Sequence, residues 1–185
     1  MKFELGKIID EFELDGKKIL FRYPKKNDLD GMLNYINTLV RNREFISRQK
    51  PVAREEEAKW LRGVLRDVKK AKKIHIVVEV NGKIVGNGEV KRGSFEADKH
   101  TGEIGIGLSK EIQNRGIGTR LLKTLIDQSK LFKLKILILR VFDLNERAKH
   151  VYEKTGFKYA GRIPNGVNYY GKYCDSLIYF MEVPK

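Results

Sequence analysis

The sequence predicts a single domain of the mixed α/β (α+β) class, and three observations support this prediction. Two turn dipeptides, Asp15-Gly16 and Asn81-Gly82, each lie between strand-like segments, which is the strongest short-range signal for a β-hairpin. Segments that repeat apolar residues at helical spacing alternate with further strand-like segments. No linker divides the 185 residues, so we expect one domain over 1–185.

The first half of the chain predicts a hairpin, two helices and a second hairpin. Residues 1–16 form an N-terminal strand or extension, and Asn27 or Asp28 can cap the first helix. The second helix carries three glutamates in its first turn and a basic cluster at its end, both of which favour the helix dipole. The predicted elements are strands at Lys7–Leu14 and Lys17–Arg22, a helix that contains Leu29 to Val40, a helix at Arg54–Lys70, and strands at Ile74–Val80 and Lys83–Val90.

The second half predicts strands and helices in alternation. Glu103–Leu108 is a strand that Gly105 and Gly107 interrupt, and glycines inside a strand mark a bulge or the close approach of a backbone or ligand. Ile136–Val141 is almost wholly apolar, which suits a strand buried on both faces. The remaining elements are helices at Gly116–Leu131 and Glu146–Thr155, the latter capped by Gly156, and strands at Lys158–Ile163 and Ser176–Val183, joined by a loop at Pro164–Asp175.

The formal net charge of +14 bears on possible partners. Such a charge favours a polyanion, which can be nucleic acid, an acidic membrane surface or a cofactor that bears phosphates. A charged surface of the kind found in hyperthermophile proteins gives the same composition. Because the basic residues are spread through nearly every segment, both interpretations stay open.

Cysteine, histidine and hydropathy patterns exclude several site types. The single cysteine, Cys174, excludes an internal disulfide and a multi-cysteine metal site. The three histidines have no spacing that suggests metal binding, so no metal is expected. The amino terminus lacks a signal-peptide pattern, and the apolar runs are too short to span a bilayer. A soluble cytoplasmic protein without a membrane partner is therefore expected.

Residues Gln113–Thr119 join a turn to the start of a helix, which is a site for anions. Backbone N–H groups at a helix start are free, and the helix dipole favours negative charge there. Gly116 and Gly118 let a pyrophosphate approach the backbone, while Arg115 adds a charged donor. A Rossmann fingerprint would need a third glycine in place of Leu121, and a Walker loop would need lysine after the second glycine.

Two motifs together resemble one family. Gln113-x-x-Gly116-x-Gly118 resembles the acetyl-CoA loop of the GNAT superfamily of N-acetyltransferases, and Asn145-x-x-Ala148-x-x-x-Tyr152-x-x-x-Gly156-Phe157 is similar to that family's segment after its fifth strand. The predicted element order matches from about Ile19 to Val183. The resemblance implies a central, mostly antiparallel sheet of about seven strands with four helices, splayed between the fourth and fifth core strands. The pattern is closest to the branch with ribosomal-protein N-terminal acetyltransferases.

The resemblance also implies acetyl-CoA as the cofactor and a set of residues to bind it. These residues are Ile106, Gly107, Leu108, Gln113, Asn114, Arg115, Gly116, Ile117, Gly118, Thr119, Asn145, Arg147 and Tyr152. The strand that contains Gly105 and Gly107 would splay at a bulge, and its free peptide groups would pair with the pantetheine arm.

The implied chemistry is attack of an amine on the acetyl thioester. An alkyl amine arrives protonated at neutral pH, so a proton must be removed first. Glu103 is the expected general base, acting through a water, and Glu89 is the reserve candidate. Tyr152 is expected to protonate the coenzyme A thiolate, and the Leu108 N–H to bind the oxyanion.

The acceptor side is expected at Arg41–Ala53 and in the loop Pro164–Asp175. The candidate acceptor contacts are Tyr169, Tyr170, Tyr173 and Asp175. The expected acceptor is a primary amine of a protein N-terminus, a ribosomal protein or a small amine such as a polyamine, and the enzyme is expected to be a monomer or homodimer. Use of a longer acyl-CoA as the acyl donor is left open. A different class of function is a basic RNA- or ribosome-binding module on the same fold without turnover.

Overall fold

One sheet with helices on both faces makes up the described part of the chain, which is residues 3–184 of a computed structural model. Its elements are β1 (Ile8–Leu14), β2 (Lys17–Arg22), α1 (Leu29–Arg41), α2 (Arg54–Lys69), β3 (Lys73–Val80), β4 (Lys83–Arg92), β5 (Thr101–Leu108), α3 (Ile117–Leu131), β6 (Ile136–Phe142), α4 (Glu146–Lys154), β7 (Lys158–Tyr169) and β8 (Lys172–Glu182). The eight strands have the order β1-β2-β3-β4-β5-β6-β8-β7. All neighbouring strands are antiparallel except β5 and β6, which are parallel.

Two glycines show which helix covers which face. A β-carbon added to Gly107 would lie 2.7 Å from the Tyr35 hydroxyl of α1, whereas one added to Gly88 would lie 2.7 Å from Leu125 of α3. Gly88 is the register partner of Ile106, the neighbour of Gly107, so these contacts are on opposite faces. Because α2 packs against α1 and α4 against α3, each face carries one pair of helices.

β5 and β6 separate after a short stretch of pairing. Their register covers only Thr101–Glu103 and Ile136–Ile138, although β5 continues to Leu108 and β6 to Phe142. The predicted splay of a mostly antiparallel sheet is thus confirmed, with β1 as an eighth strand at one edge. The unpaired ends of β5 and β6 leave a gap in the middle of the sheet.

The C-terminal strands are longer than predicted. β7 ends at Tyr169 and β8 begins at Lys172, so only two residues separate the strands. Most of the predicted loop Pro164–Asp175 is therefore part of a β-hairpin. Its two-residue turn consists of Tyr170 and Gly171, both with positive φ (51° and 87°), as a type I′ turn requires. The strand register shifts between Ile163 and Val167, which accommodates Pro164 and Gly166.

The first helix starts where the sequence predicts, but its cap differs. Asp28 precedes α1 without capping it through its side chain. Its carboxylate instead accepts hydrogen bonds from the buried Arg22 guanidinium (two, each 2.8 Å) and from the Lys25 N–H (2.8 Å). Arg22 also donates to Glu79 of β3 at 2.8 Å. This network joins β2 and β3 to the start of α1, and a buried guanidinium of this kind needs such partners.

Within residues 3–184, no helix combines the length and apolar character that crossing a membrane requires.

Candidate active site

The gap between β5 and β6 opens into a cleft of about 450 Å³. The peptide groups of β5 that face it follow from strand alternation. Ser109 N–H donates to Val85 O of β4 (2.8 Å), so the peptide groups of Gly107 also face β4, while those of Ile106 and Leu108 face the gap. Ile106, Gly107 and Leu108, which the resemblance assigns to the cofactor, all line the cleft. The free edge of β5 therefore presents hydrogen-bonding groups to an extended ligand.

The start of α3 forms one end of the cleft. Helix α3 begins after Gly116, which has a φ of +77°, and its first turn contains no acidic residue. A β-carbon on Gly116 would meet nothing within 4 Å, whereas one on Gly118 would lie 3.3 Å from Leu108. Gly116 is thus required by its backbone conformation and leaves space for a ligand, while Gly118 lets α3 pack on β5. Free N–H groups at this helix start suit a phosphate.

The other predicted loop residues do not all face the cleft. Those that line it are Gln113, Asn114, Gly116, Gly118 and Thr119. Ile117 is buried in the core instead. Arg115 forms an ion pair with Asp15 and Arg120 one with Asp10, both at 2.6 Å. A phosphate would have to compete with these carboxylates for either guanidinium.

Helix α4 supplies a third wall. Asn145 caps the helix, because its side chain accepts a hydrogen bond from Ala148 N–H at 3.1 Å, and both residues line the cleft. Tyr152 also lines it, and its hydroxyl makes no hydrogen bond with the described residues. Burial raises the pKa of Tyr152 to about 12, so the phenol keeps its proton at neutral pH. Arg147 lies at the mouth, 3.7 Å from the Glu44 carboxylate.

The two candidate bases differ in position. Glu89 of β4 lines the cleft, whereas the structure does not bring the exposed Glu103 of β5 to the cleft wall. Glu89 accepts a hydrogen bond from Lys73 Nζ at 2.8 Å and lies 3.2 Å from His75 Nδ1. Burial alone would raise the pKa of Glu89, but the hydrogen bonds and charges of His75 and Lys73 outweigh burial and hold the pKa at about 2. Glu89 is therefore an anion fixed in the cleft wall.

The two glycines of β5 have different roles. Gly105 is the register partner of Glu89, and a β-carbon there would meet nothing within 4 Å, so this side of β5 is open. Gly107 instead makes room for the Tyr35 hydroxyl, which donates to Asn87 Oδ1 at 2.9 Å. The predicted bulge is wrong, because the register between β4 and β5 is continuous through both glycines. The gap arises where β6 turns away from β5.

An aromatic cluster joins the segment after α1 to the hairpin β7–β8. Phe45 and Phe142 line the cleft, and their ring centroids lie 5.2 Å and 5.8 Å from that of Tyr169. The Tyr170 hydroxyl donates to Val40 O at 3.2 Å. Tyr169 and Tyr170 therefore support the wall from behind and do not line the cleft.

Tyr173 and Asp175 also lie outside the cleft. They are on one face of β8, and Cys174, on the opposite face, is buried. Tyr173 is 64% exposed. The Asp175 carboxylate accepts hydrogen bonds from Arg162 Nη1 (3.1 Å) and Asn165 N–H (2.9 Å), which stabilises the irregular part of β7. The structure thus places Tyr173 and Asp175 on a strand outside the cleft, where the sequence predicts a loop.

Several residues of the cleft have no motif to indicate them. They are Tyr35, Ile36, Leu39, Glu44, Phe45, Asn87, Arg140 and Phe142. Tyr35 has a signal, since Met32, Tyr35 and Leu39 share the buried face of α1 at helical spacing. Glu44 and Phe45 lie in the segment Arg41–Ala53, which the sequence places on the acceptor side. Asn87 has no such signal, because it enters the wall only through tertiary packing. Among residues 3–184, no group of three or more His, Cys, Asp or Glu side chains is placed to hold a metal ion.

Comparison of the sequence with known proteins shows which family it resembles. The sequence profile of the Acetyltransferase (GNAT) family matches residues 39–157. The L-amino acid N-acyltransferase MnaT of Escherichia coli (strain K12) is 25% identical over 111 residues, which are 58% of this chain and 62% of that protein. The match therefore spans less than two thirds of the length of this curated relative.

Solved structures of acetyltransferases have a similar fold. An acetyltransferase of the GNAT family from Streptococcus pneumoniae has a TM-score of 0.80 at 24% identity, with 90% of this chain and 99% of that chain covered. The structure of yncA from Salmonella typhimurium with its cofactor acetyl-CoA has a TM-score of 0.78 at 18% identity, with 90% and 95% covered. Both likenesses confirm the predicted fold.

The family profile contains both sequence motifs and covers more than half of the chain. Acetyl-CoA is the cosubstrate of this family, and the site fits it: the open edge of β5 suits an extended arm, and the helix start without acidic residues suits phosphates. The predictions of family and cofactor are confirmed together. The chain belongs to the GNAT family of acetyltransferases.

Proposed function

We propose that this protein transfers an acetyl group from acetyl-CoA to a primary amine by direct attack in a ternary complex. The observation that supports this most strongly is the continuity of the free β5 edge with the start of α3. The peptide groups of Ile106 and Leu108 face the gap, and the cleft ends at the glycine turn. Acetyl-CoA supplies an activated thioester when bound. The acceptor classes are a protein N-terminus, a ribosomal protein or a small amine such as a polyamine.

The Leu108 N–H and the Tyr152 hydroxyl are the proposed groups on the donor side. By strand alternation the Leu108 N–H points into the gap, where it can donate to an oxyanion. Tyr152 lies in the cleft with its hydroxyl free of described partners, and its pKa of about 12 keeps the proton available. A protonated phenol in this position can donate to a departing thiolate. Asn145 holds α4 in place through its cap.

The two carboxylates have separate proposed roles on the acceptor side. Glu89 has a pKa of about 2, which makes it a weak base but a strong partner for the ammonium form of the amine. Glu103 lies on the same face of β5 as Gly105, two residues away, and is exposed to solvent. We therefore retain Glu103 as the base that removes the proton through a water, while Glu89 holds the amine.

An acceptor panel tests this function. The purified protein is incubated with acetyl-CoA and separately with short alkyl amines, a polyamine, amino acids and N-terminal peptides of ribosomal proteins. Mass spectrometry should find one added acetyl group on at least one amine class, with release of free coenzyme A. Binding of RNA without acetylation of any amine would favour the basic binding module, which the charge of +14 keeps as the second candidate.

A further inference from the structure

A second cavity, of about 540 Å³, lies between α1, α2 and the sheet, beside the cleft. We call it the α2 cavity. It shares three lining residues with the cleft, namely Tyr35, Ile36 and Asn87. Its Lys73 forms the ion pair with Glu89 of the cleft wall. A molecule that places one group at Glu89 can therefore reach the α2 cavity with another.

Glu57 is the buried charge of the α2 cavity. It lies in the first turn of α2 and is 6% exposed. Its carboxylate forms no hydrogen bond or ion pair with residues 3–184, although it lines the cavity. Burial raises the pKa of the Glu57 carboxyl, with Arg48 opposing the rise and Glu56 adding to it. Its oxygens keep contact with solvent in the cavity, where a cation brought beside them can pair with the carboxylate.

The other charged groups of the α2 cavity do not neutralise Glu57. Arg48 is bound by Glu56, and Lys73 by Glu89. Asp67 is paired with Arg66 outside the cavity, and Lys59 is exposed at the rim. Once these pairs are counted, Glu57 is the carboxylate of the α2 cavity that has no ion-pair partner among residues 3–184.

The apolar part of the α2 cavity also suits a cation on a carbon chain. Met32, Val52 and Val64 are buried in its wall and can pack against methylene groups. Trp60 lines it too and is 37% exposed, which leaves part of the indole available to a cation.

We propose that the α2 cavity binds a second cationic group of the acceptor, so that the enzyme prefers amines whose carbon chain carries another ammonium or guanidinium, and that Glu57 determines this preference. The proposal rests on the proposed acetyl transfer, with the reacting amine at Glu89 and the second cation at Glu57. The shared chemistry admits a small diamine or polyamine, or a peptide whose basic side chain lies near its N-terminus.

Matched acceptor pairs test this preference. The first pair is 1,4-diaminobutane and butylamine, and the second is the dipeptide amide Ala-Lys and its isostere Ala-norleucine. In the wild-type protein, kcat/KM should be at least about tenfold higher for the dicationic member of one pair, as a charge-assisted contact predicts. A preference in the first pair alone assigns a small amine, and one in the second pair alone assigns a peptide. Equal values within both pairs would overturn the proposal.

Two variants of α2 separate recognition from folding. Glu57→Gln should reduce the dication-to-monocation ratio of kcat/KM to about one-tenth or less of its wild-type value. Glu55→Gln removes the same charge from the same turn but at an exposed position outside the α2 cavity, so the ratio should stay at the wild-type value. If Glu57→Gln changes only the melting temperature and keeps the ratio, the carboxylate serves the helix start and the proposal is wrong.

Equilibrium binding keeps this test independent of turnover. Calorimetry with coenzyme A present should show tighter binding of the dicationic member than of its monocationic partner, and Glu57→Gln should abolish the difference. If no amine is acetylated but this difference is found, acetyl transfer fails and the cation site stands. If amines are acetylated without any such difference in rate or binding, acetyl transfer stands and the cation site is refuted.

Discussion

The Gln113 side chain donates a hydrogen bond from Nε2 to the Leu108 carbonyl oxygen, at 2.7 Å. The first residue of the glycine turn is thereby fixed to the end of the open β5 edge. The same amide lies 3.3 Å from the Glu44 carboxylate, which belongs to the segment after α1. One side chain thus fixes the relative position of the two parts of the cleft that we assign to the cofactor.

Replacing Gln113 by Ala should weaken acetyl-CoA binding. Loss of the bond to Leu108 releases the turn, and one hydrogen bond contributes about 1 kcal/mol, so the Kd should rise about fivefold. Gln128→Ala is the matched control, because that side chain accepts a hydrogen bond from the Tyr23 hydroxyl (2.7 Å), away from the cleft. Calorimetry measures both. An equal Kd for the two variants would show that the bond to Leu108 has no role in binding.

Gly105 and Gly107 should respond differently to a methyl group. Gly107→Ala would press on the Tyr35 hydroxyl, and overpacking of this kind costs about 1–3 kcal/mol, so the melting temperature should fall. Gly105→Ala meets only open space, so the melting temperature should hold or rise slightly, while kcat/KM for the amine falls because the methyl group faces Glu89. Thermal melts and steady-state rates of the two variants decide this. Unchanged kinetics for Gly105→Ala would mean that no substrate passes there.

Tyr152→Phe should lower kcat about 100-fold with little change in melting temperature. The hydroxyl makes no hydrogen bond with the described residues, so its loss leaves the packing of the ring intact, including its edge contact with Phe157 at 6.0 Å. Because the pKa of Tyr152 is about 12, the wild-type enzyme should not lose this proton donor at any pH below about 11. A turnover number equal to that of the wild type would exclude the phenol as the acid.

Glu89 should stabilise the folded protein in a pH-dependent way. The folded-state pKa of Glu89, about 2, lies below the ordinary value for a glutamate, so its ion pairs stabilise the protein above pH ~5 and are lost as the pH falls toward 2. After a discount for partial exposure this contribution is about 1–2 kcal/mol, so Glu89→Gln should unfold more easily at pH 7 than the wild type, with the difference vanishing in acid. Denaturant titrations at several pH values measure this.

In steady-state kinetics, replacement of Glu89 and replacement of Glu103 should affect different parameters. Glu89→Gln should raise KM for the amine and leave the acidic limb of the kcat/KM profile in place, because a carboxyl with a pKa of about 2 does not titrate there. Glu103→Gln should instead lower kcat about 100-fold with little change in KM, because it removes the proposed base. A large loss of kcat only in Glu89→Gln would make Glu89 the base.

The donor half of the site could be predicted from the sequence because it depends on local structure. Each of its motifs is a contiguous piece of chain with fixed spacing. One is the turn with Gly116 and Gly118 at the start of α3, and the other is the block from Asn145 to Phe157. Even so, the sequence could not show that Arg115 is paired with Asp15, since 100 residues separate them. Long-range ion pairs leave no periodic signal in one sequence.

The acceptor half could not be predicted with the same success. The segment Pro164–Asp175 is rich in Gly, Asn and Tyr, which suggests a loop. In the structure Val167–Tyr169 pair with β8, and the register shift between Ile163 and Val167 takes up Pro164 and Gly166. Glu89 lies in the cleft wall and Glu103 is exposed outside it, and this difference depends on how the surrounding elements pack. The burial of Glu57 is likewise a result of packing, because its place in a run of three glutamates suggests a solvated helix start.

Calorimetric titration of the wild-type protein with acetyl-CoA tests the central claim most directly. One acetyl-CoA should bind per chain, saturating ligand should raise the melting temperature, and replacing Gly116, whose φ is +77°, by Val should weaken binding by at least about tenfold more than replacing the exposed turn residue Gly82 in the same way. The absence of both heat of binding and thermal shift in the wild-type protein would contradict the assignment of this cleft to acetyl-CoA.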